Sequence, residues 1–248
     1  MNTPVEGPAA EFLSAPLNPG KNLLYRVAAV IVRPIMFAIA RRKWNGVDNI
    51  PDSGGIIVAA NHASPIDPLM LAHYLYDADR PARILAKESL FRVPVLKIFM
   101  NRLNMIPVFR GTAKAAKSLE ISGDLLDRGF CIAVFPEGTL TKDPDGWPMQ
   151  ARTGVARMAL TTRKPVIPIG QWGQLDVLPR GAKFPKIFPR KTFYVAAGEP
   201  VDLSDLYDRD LNGQTLREAT DRIMTAITEL VAQQRGETAP ATFFNPRA

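Results

Sequence analysis

The residues best suited to chemistry are His62 and Asp67, in the stretch Asn61-His62-Ala63-Ser64-Pro65-Ile66-Asp67. In a regular helix this spacing would turn the two side chains about 140° apart, since a turn takes roughly 3.6 residues. Pro65 fixes its own φ and pushes Ser64 out of the helical region, so the sequence favours a turn that lets the two side chains meet. A carboxylate that fixes the imidazole tautomer is the usual arrangement of a general base. A capping Asp beside a loop His without chemistry is the alternative.

Three predicted strand ends carry polar groups that could act together. His62 follows the apolar run Gly55–Ala60, which is typical of a buried strand. Arg110 follows the run 104–109, and the turn Glu137-Gly138-Thr139 follows the run 130–135. Ligand sites in α/β sheets cluster outside the carboxyl ends of strands, so we expect a base, a cation and a turn with free N–H groups in one crevice. That set suits a reaction on a hydroxyl next to a phosphate, which Arg110 could bind bidentately.

Apolar runs of strand length alternate with helical patterns, which predicts an α/β fold with a mostly parallel central sheet flanked by helices. Further strands are expected at 82–86, 165–170 and 192–197, and helices at 69–75, 90–103, 112–127, 154–162 and 215–234. Thr215 and Glu218 match a capping box at the start of the last helix. Residues 140–150 and 173–191 are predicted loops, the second strongly basic, and 236–248 are predicted to be a loose tail.

The net charge of +7 is concentrated near the N-terminus, because no Asp or Glu occurs from Phe12 to Val47. Basic residues fall there among many aliphatic side chains, a combination that favours an anionic membrane surface over nucleic acid. Pro34 is expected to split the apolar segment. We therefore predict a tail over 1–20, two amphipathic membrane-docking helices over 21–44, and a catalytic domain over 45–235. A helical hairpin packed on the domain is the alternative for the docking helices.

Several other classes of site are not indicated. The sequence lacks the G-x-S-x-G, G-x-x-x-x-G-K-[ST] and G-x-G-x-x-G motifs. With two histidines eleven residues apart and one cysteine, we expect no metal site. Cys131 lies in an apolar run and is predicted to be a small core residue, and His73 lies in an apolar helix and is predicted to be a packed or interfacial residue. A single cysteine excludes an intramolecular disulfide, and the opening residues lack the basic stretch of a secretory signal peptide.

These residues resemble four sequence blocks of the glycerolipid acyltransferase family, of the bacterial lysophosphatidate acyltransferase type. Asn61 to Asp67 is similar to the N-H-x-S-x-x-D block, which holds the family's general base and its orienting Asp. The other three blocks are Ile106-Pro107-Val108-Phe109-Arg110, Phe135-Pro136-Glu137-Gly138-Thr139 and Val166-Ile167-Pro168-Ile169. A lysine-containing approach to the second block is matched by Ala86-Lys87-Glu88-Ser89-Leu90-Phe91. The resemblance covers roughly residues 45–235.

The resemblance implies a glycerol-3-phosphate acyltransferase-like fold and an O-acyltransferase that makes phosphatidate. His62 would deprotonate the sn-2 hydroxyl of 1-acyl-glycerol 3-phosphate, which attacks an acyl-CoA or acyl carrier protein thioester without an acyl-enzyme. Asp67 would orient His62, and no cofactor is implied beyond the thioester co-substrate. The acceptor phosphate would be bound by Arg110, Glu137, Gly138, Thr139, Lys87 and Arg152. The implied location is the cytoplasmic face of the cell membrane, as a peripheral or monotopic protein.

Departures from the family pattern leave the acceptor open. Leu140 stands where the family often has Arg, and Arg152 stands where it commonly has Lys. Gly170 and Gln171 stand where the fourth block usually ends in Pro. Glycerol 3-phosphate, another lysophospholipid or a glycolipid would use the same chemistry. A lipid-binding protein with a silent site and a thioesterase that uses water are alternatives of other classes.

Overall fold

The computed structural model describes residues 23–102, 105–108 and 115–246. The helices are α1 (Leu23–Ile39), α2 (Asp67–Asp77), α3 (Pro94–Arg102), α4 (Ala115–Asp127), α5 (Gly154–Thr162), α6 (Gln174–Val177) and α7 (Gly213–Arg235). The strands are β1 (Ala40–Asn45), β2 (Ile56–Ala60), β3 (Arg83–Lys87), β4 (Ile106–Val108), β5 (Cys131–Val134), β6 (Val166–Trp172) and β7 (Lys191–Ala197). Arg110 and residues 1–22 lie outside the described residues.

The strands form one seven-stranded sheet in the order β1-β7-β6-β2-β5-β3-β4. Strands β2 to β6 are mutually parallel, with Ala59 paired to Val134 on one side and to Pro168 on the other. β7 runs antiparallel to β6, and β1 runs parallel to β7. The predicted α/β fold with a mostly parallel sheet is therefore confirmed, and the edge that carries β1 and β7 runs in the opposite direction.

Strand β2 is buried on both faces, which explains why its sequence is a continuous apolar run. Ile57 and Ala59 point into a core layer built with α4, α5 and α7. Ile56, Val58 and Ala60 point into the opposite layer, built with α2 and β3. Successive side chains of a strand face opposite sides, so one short strand joins both halves of the core.

Most predicted elements occur within a few residues of their expected positions, but the N-terminal segment differs. Residues 23–39 form a single helix that continues through Pro34, so the prediction of two helices is wrong. A proline removes one intrahelical hydrogen bond, and here the remaining turns carry the helix past it. Residues 40–45 form a strand rather than a docking helix, and the sheet thus begins before residue 45. No helix among the described residues is long and apolar enough to cross a bilayer.

Two predictions for the C-terminal region are also corrected. The cap of α7 is Asn212, whose side-chain oxygen accepts a hydrogen bond from the Thr215 N–H at 2.9 Å, so Thr215 is not the capping residue. The C-terminal residues are not wholly loose, because the Phe244 carbonyl accepts from the Gln150 N–H at 2.9 Å and Phe243 packs on the core. The end of the chain therefore supports the loop at 140–150.

Gly55 is required because the start of β2 passes very close to α4. A Cβ at Gly55 would lie 1.9 Å from the carbonyl oxygen of Leu126, whereas a Cβ at Gly54 would meet nothing within 4 Å. We expect Gly55→Ala to lower the free energy of unfolding by about 3 kcal/mol or more, since a backbone must move. Gly54→Ala is the matched control and should cost about 1 kcal/mol for its positive φ. Equal losses in chemical denaturation would contradict this account.

Candidate active site

His62 and Asp67 meet across the turn that follows β2. His62 Nδ1 lies 3.1 Å from Asp67 Oδ2, and the imidazole side chain is 18% exposed while the carboxylate is 1% exposed. Oδ2 accepts this hydrogen bond, because it also accepts from two backbone N–H groups, so Nδ1 carries a proton and in the neutral ring Nε2 has the lone pair. The expected contact between the two side chains is confirmed. The arrangement suits proton transfer at Nε2.

One oxygen of Asp67 closes the turn as well as orienting the ring. Oδ2 accepts hydrogen bonds from the backbone N–H groups of Ala63 at 2.6 Å and Ser64 at 2.7 Å. Burial raises the pKa of Asp67, and the hydrogen bonds from His62, Ser64 and Ala63 oppose that rise. Three donors directed at one oxygen stabilise the ionised carboxylate, which is the form that can hold His62. Asp67 is thus both a structural and an orienting group.

The backbone of His62 is held by the loop that follows β5. Its N–H donates to Glu137 Oε1 at 2.8 Å, and its carbonyl accepts from the Thr141 N–H at 2.6 Å. The imidazole stacks on the Phe135 ring, with centroids 4.3 Å apart and an interplanar angle of 29°. Phe135 and Glu137 belong to one sequence block, and they contact the ring and the backbone of His62, respectively. Neighbouring strands β2 and β5 therefore build the site together.

Glu137 points into the protein rather than toward a crevice. Its other oxygen, Oε2, accepts from the Met149 N–H at 3.1 Å, and the residue is 3% exposed. Burial raises the pKa of Glu137 to about 8, against the hydrogen bonds from His62 and Met149. The Gly138 N–H donates to the Phe135 carbonyl at 2.9 Å, so the expectation of a free N–H at this glycine is wrong. In this structure Glu137 acts as a buried support of the His62 loop.

Asn61 joins the same loop to β6, which lies on the other side of β2. Its Oδ1 accepts from the Gln171 N–H at 2.7 Å, and its Nδ2 donates to the Gln171 carbonyl at 3.0 Å. Gln171 Nε2 returns a hydrogen bond of 3.2 Å to the Asn61 carbonyl. Both residues are buried. This reciprocal pair carries the sheet pairing one step beyond the last residue of β2.

The other predicted binding residues comprise one outside the described residues and three with exposed side chains. Arg110 lies outside the described residues; β4 ends at Val108, which pairs with Lys87 at the end of β3. Lys87, Thr139 and Arg152 have exposed side chains. The Arg152 N–H donates to the Pro136 carbonyl at 3.0 Å, which attaches its loop to the Glu137 turn. Their roles in binding a phosphate stay predictions.

Two residues predicted to be packed are confirmed as interior groups. Cys131 is 4% exposed, and burial raises the pKa of its thiol to about 12. His73 is 4% exposed, its Nε2 lies 2.9 Å from Arg42 Nη1, and burial lowers its pKa to about 4. Ser64 is fully buried, and its hydroxyl donates to the Leu178 carbonyl at 2.8 Å. None of these groups is exposed as a nucleophile.

Sequence reasoning missed the support of the site more than its chemistry. The Asn61–Gln171 pair spans 110 positions, and neither residue belongs to a motif that names the other. The family resemblance implied that Glu137 binds the phosphate of the acceptor substrate, whereas its side chain accepts hydrogen bonds from two backbone N–H groups. A usable indication was the position of Glu137 directly after a buried strand, where an acidic side chain can turn back onto a neighbouring strand end.

Comparison with known proteins identifies similar sequences. The family profile described as Acyltransferase matches residues 41–172. A 1-acyl-sn-glycerol-3-phosphate acyltransferase of Borreliella burgdorferi is 32% identical over 125 residues, which cover 50% of this chain and 48% of that protein. One of Bacillus subtilis is 23% identical over 184 residues, which cover 73% of this chain and 84% of that protein. An uncharacterised Mycobacterium tuberculosis protein is 31% identical over 169 residues, which cover 61% of this chain and 44% of its own length.

A similar fold occurs in a solved structure. The 1-acyl-sn-glycerophosphate acyltransferase PlsC from Thermotoga maritima aligns with a TM-score of 0.68 over 93% of this chain and 87% of that chain, at 22% identity. At that identity the likeness concerns the fold. The chain spans about half the length of the first curated relatives it matches.

Glu137→Gln tests the buried support of His62. At low pH the protonated acid still presents an oxygen to each of the two backbone N–H groups, whereas glutamine turns its NH2 group toward one of them, so we expect a loss of about 1–3 kcal/mol in the free energy of unfolding at low pH. The folded-state pKa of about 8 exceeds the ordinary 4.5, so the folded protein binds this proton more tightly than the unfolded chain. The wild-type advantage should therefore be largest below about pH 4.5 and shrink as the pH rises toward about 8.

Chemical denaturation of both proteins across that pH range measures the difference. Glu199→Gln is the control, because Glu199 is exposed and its replacement should leave the free energy of unfolding nearly unchanged. A gap between wild type and Glu137→Gln that does not vary with pH would contradict the assigned burial effect.

Proposed function

The chain belongs to the acyltransferase family, and from that membership we propose that it acylates a lysophospholipid. The proposed reaction moves an acyl group from acyl-CoA or acyl carrier protein to the sn-2 hydroxyl of 1-acyl-glycerol 3-phosphate, which gives phosphatidate. The names of the Borreliella and Bacillus relatives support this acceptor. The observation that carries the proposal is the contact between His62 and the buried carboxylate of Asp67, with the imidazole still open to solvent.

The proposed mechanism needs no covalent intermediate on the protein. His62 Nε2 takes the proton of the acceptor hydroxyl as its oxygen attacks the thioester carbon. The tetrahedral intermediate then collapses, the C–S bond breaks, and the imidazolium returns its proton to the departing thiolate. Asp67 stabilises the imidazolium and holds Nδ1–H in place. The burial of Ser64 and Cys131 supports direct transfer.

We propose that three basic residues recognise the acceptor phosphate. Arg110, two residues beyond the end of β4, would bind the phosphate bidentately, with Lys87 and Arg152 adding positive charge. Gly138 and Thr139 would line the approach. Fixing the phosphate sets which hydroxyl reaches His62, and such positioning contributes more to the rate than the base itself.

Helix α1 is proposed to lie on an anionic membrane surface, from which the lipid acceptor is collected. Its large apolar side chains include Val30 at 70%, Ile31 at 58% and Ile35 at 51% exposure. Met36 is 3% exposed and packs against β7, so the end of the helix is attached to the domain. Arg33 is ion-paired with Asp77 at 2.8 Å, so the exposed aliphatic groups and the exposed Arg26 supply the two properties that interfacial binding requires.

His62→Ala and Asp67→Asn test the base. We expect His62→Ala to lower turnover by about 10²–10⁴-fold, because Nε2 is the proposed proton acceptor. Asp67→Asn should lower it by about 10³-fold or more, because an amide can stabilise the wrong tautomer. Purified protein, acyl-CoA and lysophosphatidate are used, thiol release is measured, and circular dichroism checks the fold.

A folded His62→Ala protein that keeps a tenth of wild-type turnover would refute the mechanism. Thiol release by wild type that does not depend on lysophosphatidate would instead favour a thioesterase. Both outcomes are read in the same assay.

Arg110→Ala tests the choice of acceptor. With lysophosphatidate we expect kcat/KM to fall about 10–100-fold, the worth of a charge-assisted hydrogen-bonded pair. With a neutral monoacylglycerol acceptor the variant should match wild type. Arg157→Ala is the control, since Arg157 is exposed on α5. An equal loss on both acceptors would contradict the phosphate role of Arg110.

A further inference from the structure

Residues 181–190 form an exposed loop that the proposed mechanism does not use. Its sequence is Gly-Ala-Lys-Phe-Pro-Lys-Ile-Phe-Pro-Arg, and every residue is exposed. Phe184 and Phe188 are 81% and 89% exposed, and Ile187 between them is 55% exposed. Isolated apolar residues on a surface are ordinary, but three large ones within five positions form a patch that favours an interaction.

The charged residues in this part of the sequence have one sign. Lys183, Lys186, Arg190 and Lys191 lie in or beside the loop, and no acidic residue occurs from 177 to 198. Aromatic rings interleaved with basic residues are typical of segments that enter the interface of an anionic bilayer, where rings reach the acyl boundary and cations meet phosphates. The loop therefore has both properties that were assigned to α1.

The direction of β7 places the loop at the same end of the strands as His62. The loop leaves β6 at its carboxyl end and returns at Lys191, because β7 runs antiparallel to β6. β1 runs parallel to β7 with Ala40 paired to Lys191, so α1 also ends at this end of the strands. The turn of His62 follows the carboxyl end of β2, which pairs in parallel with β6.

Hydrogen bonds connect the loop to both neighbours. The Arg190 guanidinium donates to the Phe37 carbonyl in the last turn of α1 and to the Ala40 carbonyl at 3.1 Å. At the other end, the Lys186 N–H donates to the Val177 carbonyl at 2.7 Å. The next residue, Leu178, accepts the Ser64 hydroxyl of the His62 turn. The loop, α1 and the candidate site are thus held in fixed relation.

We propose that the 181–190 loop is a second membrane contact. Phe184 and Phe188 enter the interface of an anionic bilayer, Lys183 and Lys186 lie against lipid phosphates, and α1 binds beside them. Two contacts at the same end of the sheet hold the His62 turn toward the lipid surface. The inference rests on the proposed function only in assuming a lipid acceptor.

An acidic carrier protein is the other partner that basic residues could attract. It would neutralise Lys183 and Lys186, but it would need a shaped apolar pocket for each of two almost fully exposed phenylalanines. A bilayer accepts aromatic rings without such a pocket, and the position beside α1 adds to the same surface. The exposed rings therefore favour the membrane.

Partition of the full-length protein into vesicles tests the proposal without any substrate. With phosphatidylcholine and phosphatidylglycerol vesicles, we expect Phe184→Ala/Phe188→Ala to lower the partition coefficient about 100-fold, roughly tenfold for each ring. Lys183→Gln/Lys186→Gln should lower it about 20-fold on these vesicles and hardly at all on phosphatidylcholine alone. Because all four side chains are exposed, melting temperatures should equal that of wild type.

Leu211→Ala is the matched control, because Leu211 is an exposed apolar residue away from the end of the sheet at which His62 lies. Gln234, near the end of α7, donates to the Gly170 carbonyl near the carboxyl end of β6, so α7 begins near the opposite end of the strands. Leu211 lies just before that beginning. A fluorophore sensitive to polarity, NBD, attached to Phe188→Cys should shift to the blue on vesicles, while NBD on Leu211→Cys should not. Cys131 is buried, so labelling is confined to the introduced cysteine.

Unchanged partition of the double phenylalanine variant, or no shift of NBD at position 188, would overturn the proposal. So would unchanged partition with a loss of transfer confined to acyl carrier protein as donor, which would assign the loop to that carrier. Val30→Ser/Ile31→Ser reports on α1 in the same vesicle assay. Transfer measured in detergent micelles reports on the proposed reaction. A result against membrane binding by α1, or against the reaction, is therefore distinguished from a result against membrane contact by the 181–190 loop.

Discussion

Oδ2 of Asp67 lies in the protein interior and accepts three hydrogen bonds, from His62 Nδ1 and from the N–H groups of Ala63 and Ser64. The same oxygen therefore closes the turn and sets the tautomer of the imidazole. Because the turn is attached to a strand buried on both faces, the position of His62 is coupled to the packing of the whole sheet. Loss of this contact would disturb the loop and the base together.

A second buried carboxylate performs a separate task on the same segment. Glu137 joins the His62 N–H to the Met149 N–H, and Thr141 binds the His62 carbonyl, so the loop after β5 holds the backbone while Asp67 holds the ring. Burial raises the pKa of both acids, and backbone donors oppose that effect in each case. In Glu137 burial outweighs these donors and the pKa is raised to about 8, so the task of this side chain is to hold two backbone N–H groups.

The reversal of β7 gives the molecule its second organising feature. In an all-parallel sheet the 173–190 connection would cross to the opposite end of the strands, away from His62. Here β7 and β1 run antiparallel to the other strands. This direction brings the end of α1, the exposed loop and the His62 turn to one end of the sheet. The apolar and basic side chains of the N-terminus and of the loop consequently act on the same side as the chemistry.

The sequence by itself determined most of the elements and the reactive pair. Strands buried on both faces appear as apolar runs, and Pro65 between His62 and Asp67 forces the turn that joins them. Only the tertiary structure decided that Glu137 supports a backbone, that Asn61 pairs with Gln171, that Asn212 rather than Thr215 caps α7, and that α1 is one helix leading into a strand. Periodicity records how deeply a residue is buried, whereas these outcomes depend on which distant group satisfies a buried donor or acceptor, and local sequence does not specify that partner.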